Sequence, residues 1–272
     1  MLVYGVDFTS APAKRKPITC ARCQLEADVL VLEGLETFTS FTEFKGFLDR
    51  PGPWLVGIDA PFGQPRRLIK ALSLPLSWSA YVRHFAALGK EGFSALLRDY
   101  KARQAKGDKE HKRRVDALAR AVSPMKLYRV PVGKMFFELA PRLEQTELNL
   151  PLLRPTQDKR TVLEAYPALV ARHLIGAVSY KSDTLKNQTR EQQVARMTIV
   201  SCLNEVEFKK AYDLTLSLTN VQKKALAADP KADTLDALLC AVQAAWAARQ
   251  DNYGIPDGVD GLEGWIADPL LT

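Results

Sequence analysis

Several acids in this chain stand where carboxylates could act together. Asp7 closes an apolar run in GVDFTS, Asp59 closes another in GIDAPFG, and Glu164 closes a third in LEAYP. Asp233 and Asp236 open a long apolar-periodic segment, DTLDAL, and lie three apart, which puts them on one face of a helix. Carboxylates brought close together repel, so they either hold protons or recruit a cation. Hard divalent ions such as Mg²⁺ are bound through carboxylate oxygens, and a pair of them can hold a phosphodiester and activate water for in-line attack. Singly, each acid is better read as a turn residue, and Asp233 as a helix cap. As a set on strands of the right order, they read as a metal site, with Asp7 beside Asp59 if the first and fourth strands are neighbours.

The basic residues are concentrated where the acids are dispersed. The net charge is +7, and residues 101–126 hold nine Lys or Arg against three Asp or Glu, most of the excess. Such a run is either a solvated helical face or the electrostatic footprint of a polyanion-binding surface. Lys112, Arg113 and Arg114 lie within it. Arg66 and Arg67 directly follow the Asp59 turn and could reach a scissile strand. These five are the candidate nucleic-acid contacts. Lys181, in SYKSD, could neutralise a phosphate, although a lone lysine is ordinarily solvated. Cys20 and Cys23 form a CxxC, but strand alternation would point them to opposite faces, and there is no second pair or histidine set at zinc spacing. They read as small strand residues with free thiols. Trp54, Trp78, Trp246 and Trp265 are isolated and read as core or lid residues, not as a stacking platform.

The elements that must position these groups follow from periodicity. Residues 1–60 read β-β-β-α-β, residues 64–123 read as helices, and TVLEAYPALVARHL reads as strand, turn and helix. Residues 187–228 read as helices, DTLDALLCAVQAAWAAR is the clearest helix, and DGLEGWIADP could add a short strand. The stretch LYRVPVGKMFFELAP is mixed. Residues 1–272 therefore form one α/β domain with a helical basic insertion at 64–126 after the fourth strand. No apolar run approaches a membrane span, and MLVYGVDFTS lacks the basic region of a signal peptide. The expectation is a cytoplasmic protein with no membrane partner; the oligomeric state stays open.

GVDFTSAP, GIDAPFG, EAYPAL and DTLDALLCAVQAAW together resemble the domain of unknown function 429 family, predicted nucleases with a ribonuclease-H-like fold. The resemblance runs from Leu2 to about Pro269. It implies a mixed five-stranded sheet flanked by helices: three antiparallel strands, then parallel strands alternating with helices. It implies that Asp7, Asp59 and an acid of the late helix, Asp233 or Asp236, bind metal; resolvase-like members carry a similar pair three apart, which counts both Asp233 and Asp236 as ligands, and Glu164, matching an E-x-x-P element, is a further ligand or a base. The catalytic set on this reading is Asp7, Asp59, Glu164 and Asp236, the cofactor Mg²⁺ or Mn²⁺, and the partner a nucleic acid, DNA or RNA. Two other readings stay open: a phosphotransferase or nucleotide hydrolase of actin or sugar-kinase type, for which DFTS is a partial match with Phe8 where glycine is wanted, and a non-catalytic nucleic-acid-binding adaptor.

Overall fold

The computed structural model describes residues 1–271. Strands β1 (Leu2–Asp7), β2 (Ile18–Glu26) and β3 (Val29–Phe38) form an antiparallel meander. Helix α1 (Phe41–Leu48) follows, capped by the Ser40 hydroxyl, which accepts from the Glu43 amide at 3.2 Å. Strand β4 (Trp54–Asp59) is apolar on both faces, as an interior parallel strand must be, and lies beside β1. Five helices then intervene: α2 (Arg66–Ala71), α3 (Trp78–Ala87), α4 (Gly89–Ala102), α5 (Arg114–Leu118) and α6 (Val132–Glu144). Strand β5 (Arg160–Ala165) pairs parallel with β4. Helices α7 (Pro167–Ile175), α8 (Arg190–Cys202) and α9 (Val206–Tyr212), strand β6 (Thr215–Ser217), and helices α10 (Asn220–Ala228) and α11 (Asp233–Ala247) complete the main elements.

The sheet has six strands in the order β5-β4-β1-β2-β3-β6. The expected count of five is corrected by β6, three residues paired parallel with β3. A strand that short shows no alternation against the helices around it. Residues 103–113, expected to be helical, are irregular. They are crowded with like charges and lack apolar periodicity, so they offer no face to pack. The mixed stretch resolves as α6 from Val132 onward, and DGLEGWIADP contributes a single bridge, Ile266 to Glu164.

Each sheet face has its own core. One packs Val3, Leu55 and Leu163 against α11, and the other packs Tyr4, Val6, Val56 and Ile58 against α1 and the helices of the insertion. Cys20 and Cys23 fall into different cores with free thiols, and all four tryptophans are buried. Helix α11 touches the sheet backbone directly. Gly5 and Gly57 are register partners; a Cβ on Gly5 would stand 2.0 Å from Ala237 O, and one on Gly57 2.6 Å from Cys240 O. Only glycine allows that approach. Among the described residues no helix is long and apolar enough to cross a membrane.

Candidate active site

Strands β1 and β4 end alike, Gly5-Val6-Asp7 and Gly57-Ile58-Asp59. Residues two apart on a strand share a face, so each acid stands on the face where its glycine admits α11. Asp7 and Asp59 are register partners across the parallel pair. The close seat of α11 brings Asp236, in its first turn, to the same edge, fully buried. Acids in a first helical turn are favoured by the positive end of the helix dipole.

The carboxyls of the group outnumber its cations, and the excess shows as raised pKa values. Burial pushes the Asp7 carboxyl well above the ordinary aspartate range, and Asp236, Asp59 and Asp233 push it further while Lys181 opposes. Asp59 is raised to about 7, again by burial first, with Asp236 and Glu164 adding and Lys181 opposing. Each side chain keeps a little solvent contact. Among the described residues neither carboxyl has a side-chain hydrogen-bond partner, so only the nearby Lys181 charge offsets their desolvation, and in part.

The cation of the cluster is Lys181, which the sequence reading leaves in solvent. It sits on the strap between α7 and α8, and its Nζ bonds Asp236 Oδ2. The neighbouring Tyr180 hydroxyl donates to Asp236 Oδ1 at 2.7 Å. Burial pulls the Lys181 ammonium down, but Asp236, then Tyr180, Asp7 and Asp59, outweigh it and hold it well above the usual lysine value. The strap backbone is fixed by Arg196 Nη1, which donates to Tyr180 O at 2.8 Å, and by Ser182 N, which donates to Pro230 O at 3.2 Å.

Glu164 does not join this group. In the β4–β5 register it stands opposite Ile58, and Asp59 stands opposite Ala165, so Glu164 faces the other core. There Arg113 grips it with both terminal nitrogens, at 2.8 and 2.6 Å, and the Phe62 amide donates to it at 3.0 Å. Arg113 also binds Asp116. This corrects two expectations. The Glu164 carboxylate is occupied by a guanidinium and is not open to act as ligand or base, and Arg113, at 1% exposure, is closed to a nucleic-acid backbone.

The remaining candidates divide by their partners. Asp233 lies at the outer edge of the acid group, half-buried, as the first residue of α11; the cap position belongs to Ala232, whose φ is 60°. Its carboxyl is raised by burial and by Asp229, with Lys16 and Lys181 opposing. Arg66 pairs with Asp260 and Arg67 with Asp108. Lys112 and Arg114 are exposed. Sequence reasoning missed three supports: Tyr180, Lys181 as a counter-ion, and Gln243 of α11, which accepts from Tyr166 N at 2.8 Å and donates to Tyr166 O at 3.2 Å, fixing the turn after β5. The repeated Gly-apolar-Asp ending was the readable signal for the seat of α11.

Among the described residues no three His, Cys, Asp or Glu side chains form a ready-made cation cage. The chemistry of the donor set fits Mg²⁺ or Mn²⁺: carboxylate oxygens alone, in excess, with Asp7 and Asp59 unpaired. Asp236 is engaged by Tyr180 and Lys181 and could join only by giving up the ammonium.

Comparison with curated proteins and with solved structures gives no match. The sequence pattern of a family described as protein of unknown function (DUF429) matches residues 5–260, and the chain belongs to that family.

Proposed function

We propose that the edge bearing Asp7 and Asp59 is the active site of a metal-dependent nuclease on a ribonuclease-H-like core. The observation that carries this reading is the register pairing of two unpartnered, desolvated aspartates at the carboxyl ends of adjacent parallel strands. The strand order supports it: β1 to β3 antiparallel, then β4 and β5 parallel to β1, with acids on the first strand, the fourth strand and a late helix. Substrates of open α/β sheets bind at the carboxyl ends of the strands.

Asp7 and Asp59 would hold Mg²⁺ or Mn²⁺, with Asp236 and Asp233 at the margin. The ion would supply Lewis-acid polarisation of the phosphate and a water acidic enough to attack it. The chain's own groups do the rest. Asp236 is held in orientation by Tyr180, the strap closes one side of the site, and the exposed Lys112 and Arg114 offer phosphate contacts that give affinity without sequence choice. Arg113 and Glu164 act from the opposite face as the fixed brace between the insertion and β5.

The test is cleavage of labelled single-stranded, duplex, hybrid and branched nucleic acids with Mn²⁺, Mg²⁺ or EDTA. Metal-dependent cleavage that Asp59→Asn reduces at least a hundredfold is the expected result. Absence of cleavage on every substrate and metal would overturn the reading.

A further inference from the structure

We propose that the Lys181 ammonium is the resident counter-cation of the acid cluster, exchanging with the divalent ion and, once released from Asp236, pairing with a substrate phosphate. The inference rests on the nuclease reading and adds a substrate-positioning residue to it.

Three features separate Lys181 from a permanent structural pair. The only hydrogen-bond partner of its ammonium among the described residues is Asp236, so two of its three donors are uncommitted. Its side chain is 40% exposed although Asp236 is fully buried, so the head has solvent beside it, and an outward swing gives up only the Asp236 bond and a 5.7 Å approach to the Tyr180 ring centroid among the polar and ring contacts of the described residues. Its backbone is pinned on either side: Tyr180 O by Arg196, Lys181 O by Gln192 Nε2 at 3.1 Å, and Ser182 N on Pro230 O. A fixed strap with an exposed charged tip would return the ammonium to one place.

The hydrogen-bonding pattern gives the exchange its direction. The one ammonium bonds Asp236, which leaves the Asp7 and Asp59 carboxyls without a bonded cation and open to a divalent ion that displaces their protons. A divalent ion brought to Asp7 and Asp59 would repel the ammonium and compete for Asp236. The Tyr180 hydroxyl stays on Asp236 Oδ1 and keeps that carboxylate aimed while Oδ2 changes partner. The released ammonium would stand beside bound phosphate oxygens, where a compact point charge suits the task. No bond is made or broken in this exchange.

The experiment is calorimetric titration of Mn²⁺ into the wild-type protein, Lys181→Met, Lys181→Gln and Asp59→Asn, followed by cleavage kinetics on whichever nucleic acid the wild type cuts. Lys181→Gln keeps a donor for Asp236 and guards against a folding failure in Lys181→Met. The expected result is Mn²⁺ binding at least tenfold tighter in both Lys181 variants, loss of binding in Asp59→Asn, and a KM for nucleic acid raised about tenfold in the Lys181 variants. A lysine of merely structural use would leave Mn²⁺ affinity equal or weaker on removal, and that outcome with the wild type still binding Mn²⁺ and cleaving overturns the exchange alone. Absence of Mn²⁺ binding in the wild type and both Lys181 variants overturns the exchange and the nuclease reading together.

Discussion

Two clusters of buried charge lie on opposite faces of the same sheet edge, and they are built to opposite rules. On the insertion side, Arg113 is bound by Asp116, Glu164 and the Glu263 carbonyl. Burial alone would lower its pKa, but Asp116 and Glu164 raise it well above the ordinary arginine value. On the α11 side, Asp7 and Asp59 have no hydrogen-bond partner, and one half-exposed lysine serves three acids. A closed cluster uses charge to lock elements together. An open one stores unfavourable electrostatics in the fold, which is tolerated where a ligand will later relieve it. The contrast separates a brace from the proposed binding site without reference to any relative.

The largest expected effect lies in the brace. Arg113→Met leaves Glu164 and Asp116 buried without a cation, and we expect a loss of about 3–5 kcal/mol in urea unfolding. A loss below about 1 kcal/mol would erase the contrast between the clusters. Next is the seat of α11. Gly5→Ala places a Cβ against the Ala237 carbonyl, and overpacking of this kind costs about 1–3 kcal/mol. The sharper readout is functional, since the helix must move off β1 and carry Asp236 away; Mn²⁺ affinity should fall even where the variant folds.

A pH profile probes the open cluster more gently. Asp59 titrates near 7 in the fold against an ordinary 3.8, and Asp7 is raised in the same sense. The folded state therefore binds more protons than the unfolded state from about pH 4 upward, so stability falls as pH rises; the Asp59 share of the loss is complete a little above 7, and the Asp7 share continues as that carboxyl gives up its proton. Asp268, buried and raised to about 6, adds to the same slope. Melting in EDTA should show this decline, and Asp59→Asn should make it shallower. A wild-type melting temperature that climbs steadily from pH 5 to pH 8 would contradict the assignment. The smallest effect belongs to the exposed basic residues: Lys112→Ala and Arg114→Ala should each weaken nucleic-acid binding evenly across sequences and reduce the salt slope by about one, read by fluorescence anisotropy at several salt concentrations.

Much of the site could be read from the chain because strands advertise their ends. Asp7 and Asp59 each close an apolar run and precede a turn, and Asp236 lies beside the helical apolar stripe of Leu235 and Leu239, a spacing that turns it partly inward; its full burial comes from the close seat of α11. Glu164 has the same local signature, yet its face depends on the β4–β5 register, which no single strand encodes. One step of register separates a ligand of the cluster from a partner of Arg113. Arg113 itself is one basic residue among nine, and composition cannot show which member of a charged run turns inward. Lys181 has no motif at all; its role comes from the strap that folds back over α11. Strand β6 is three residues long and exists only because β3 offers it an edge.

The most direct test of the account is thermal unfolding of the wild type, Asp7→Asn and Asp59→Asn at pH 8, in EDTA and in Mn²⁺. In EDTA both variants should melt above the wild type, because each removes a desolvated carboxyl that has no hydrogen-bond partner. In Mn²⁺ the wild type should gain several degrees and the variants little or nothing. Variants that melt below the wild type in EDTA, together with a wild type indifferent to Mn²⁺, would show that the acids are stabilising structure and not a site waiting for a cation.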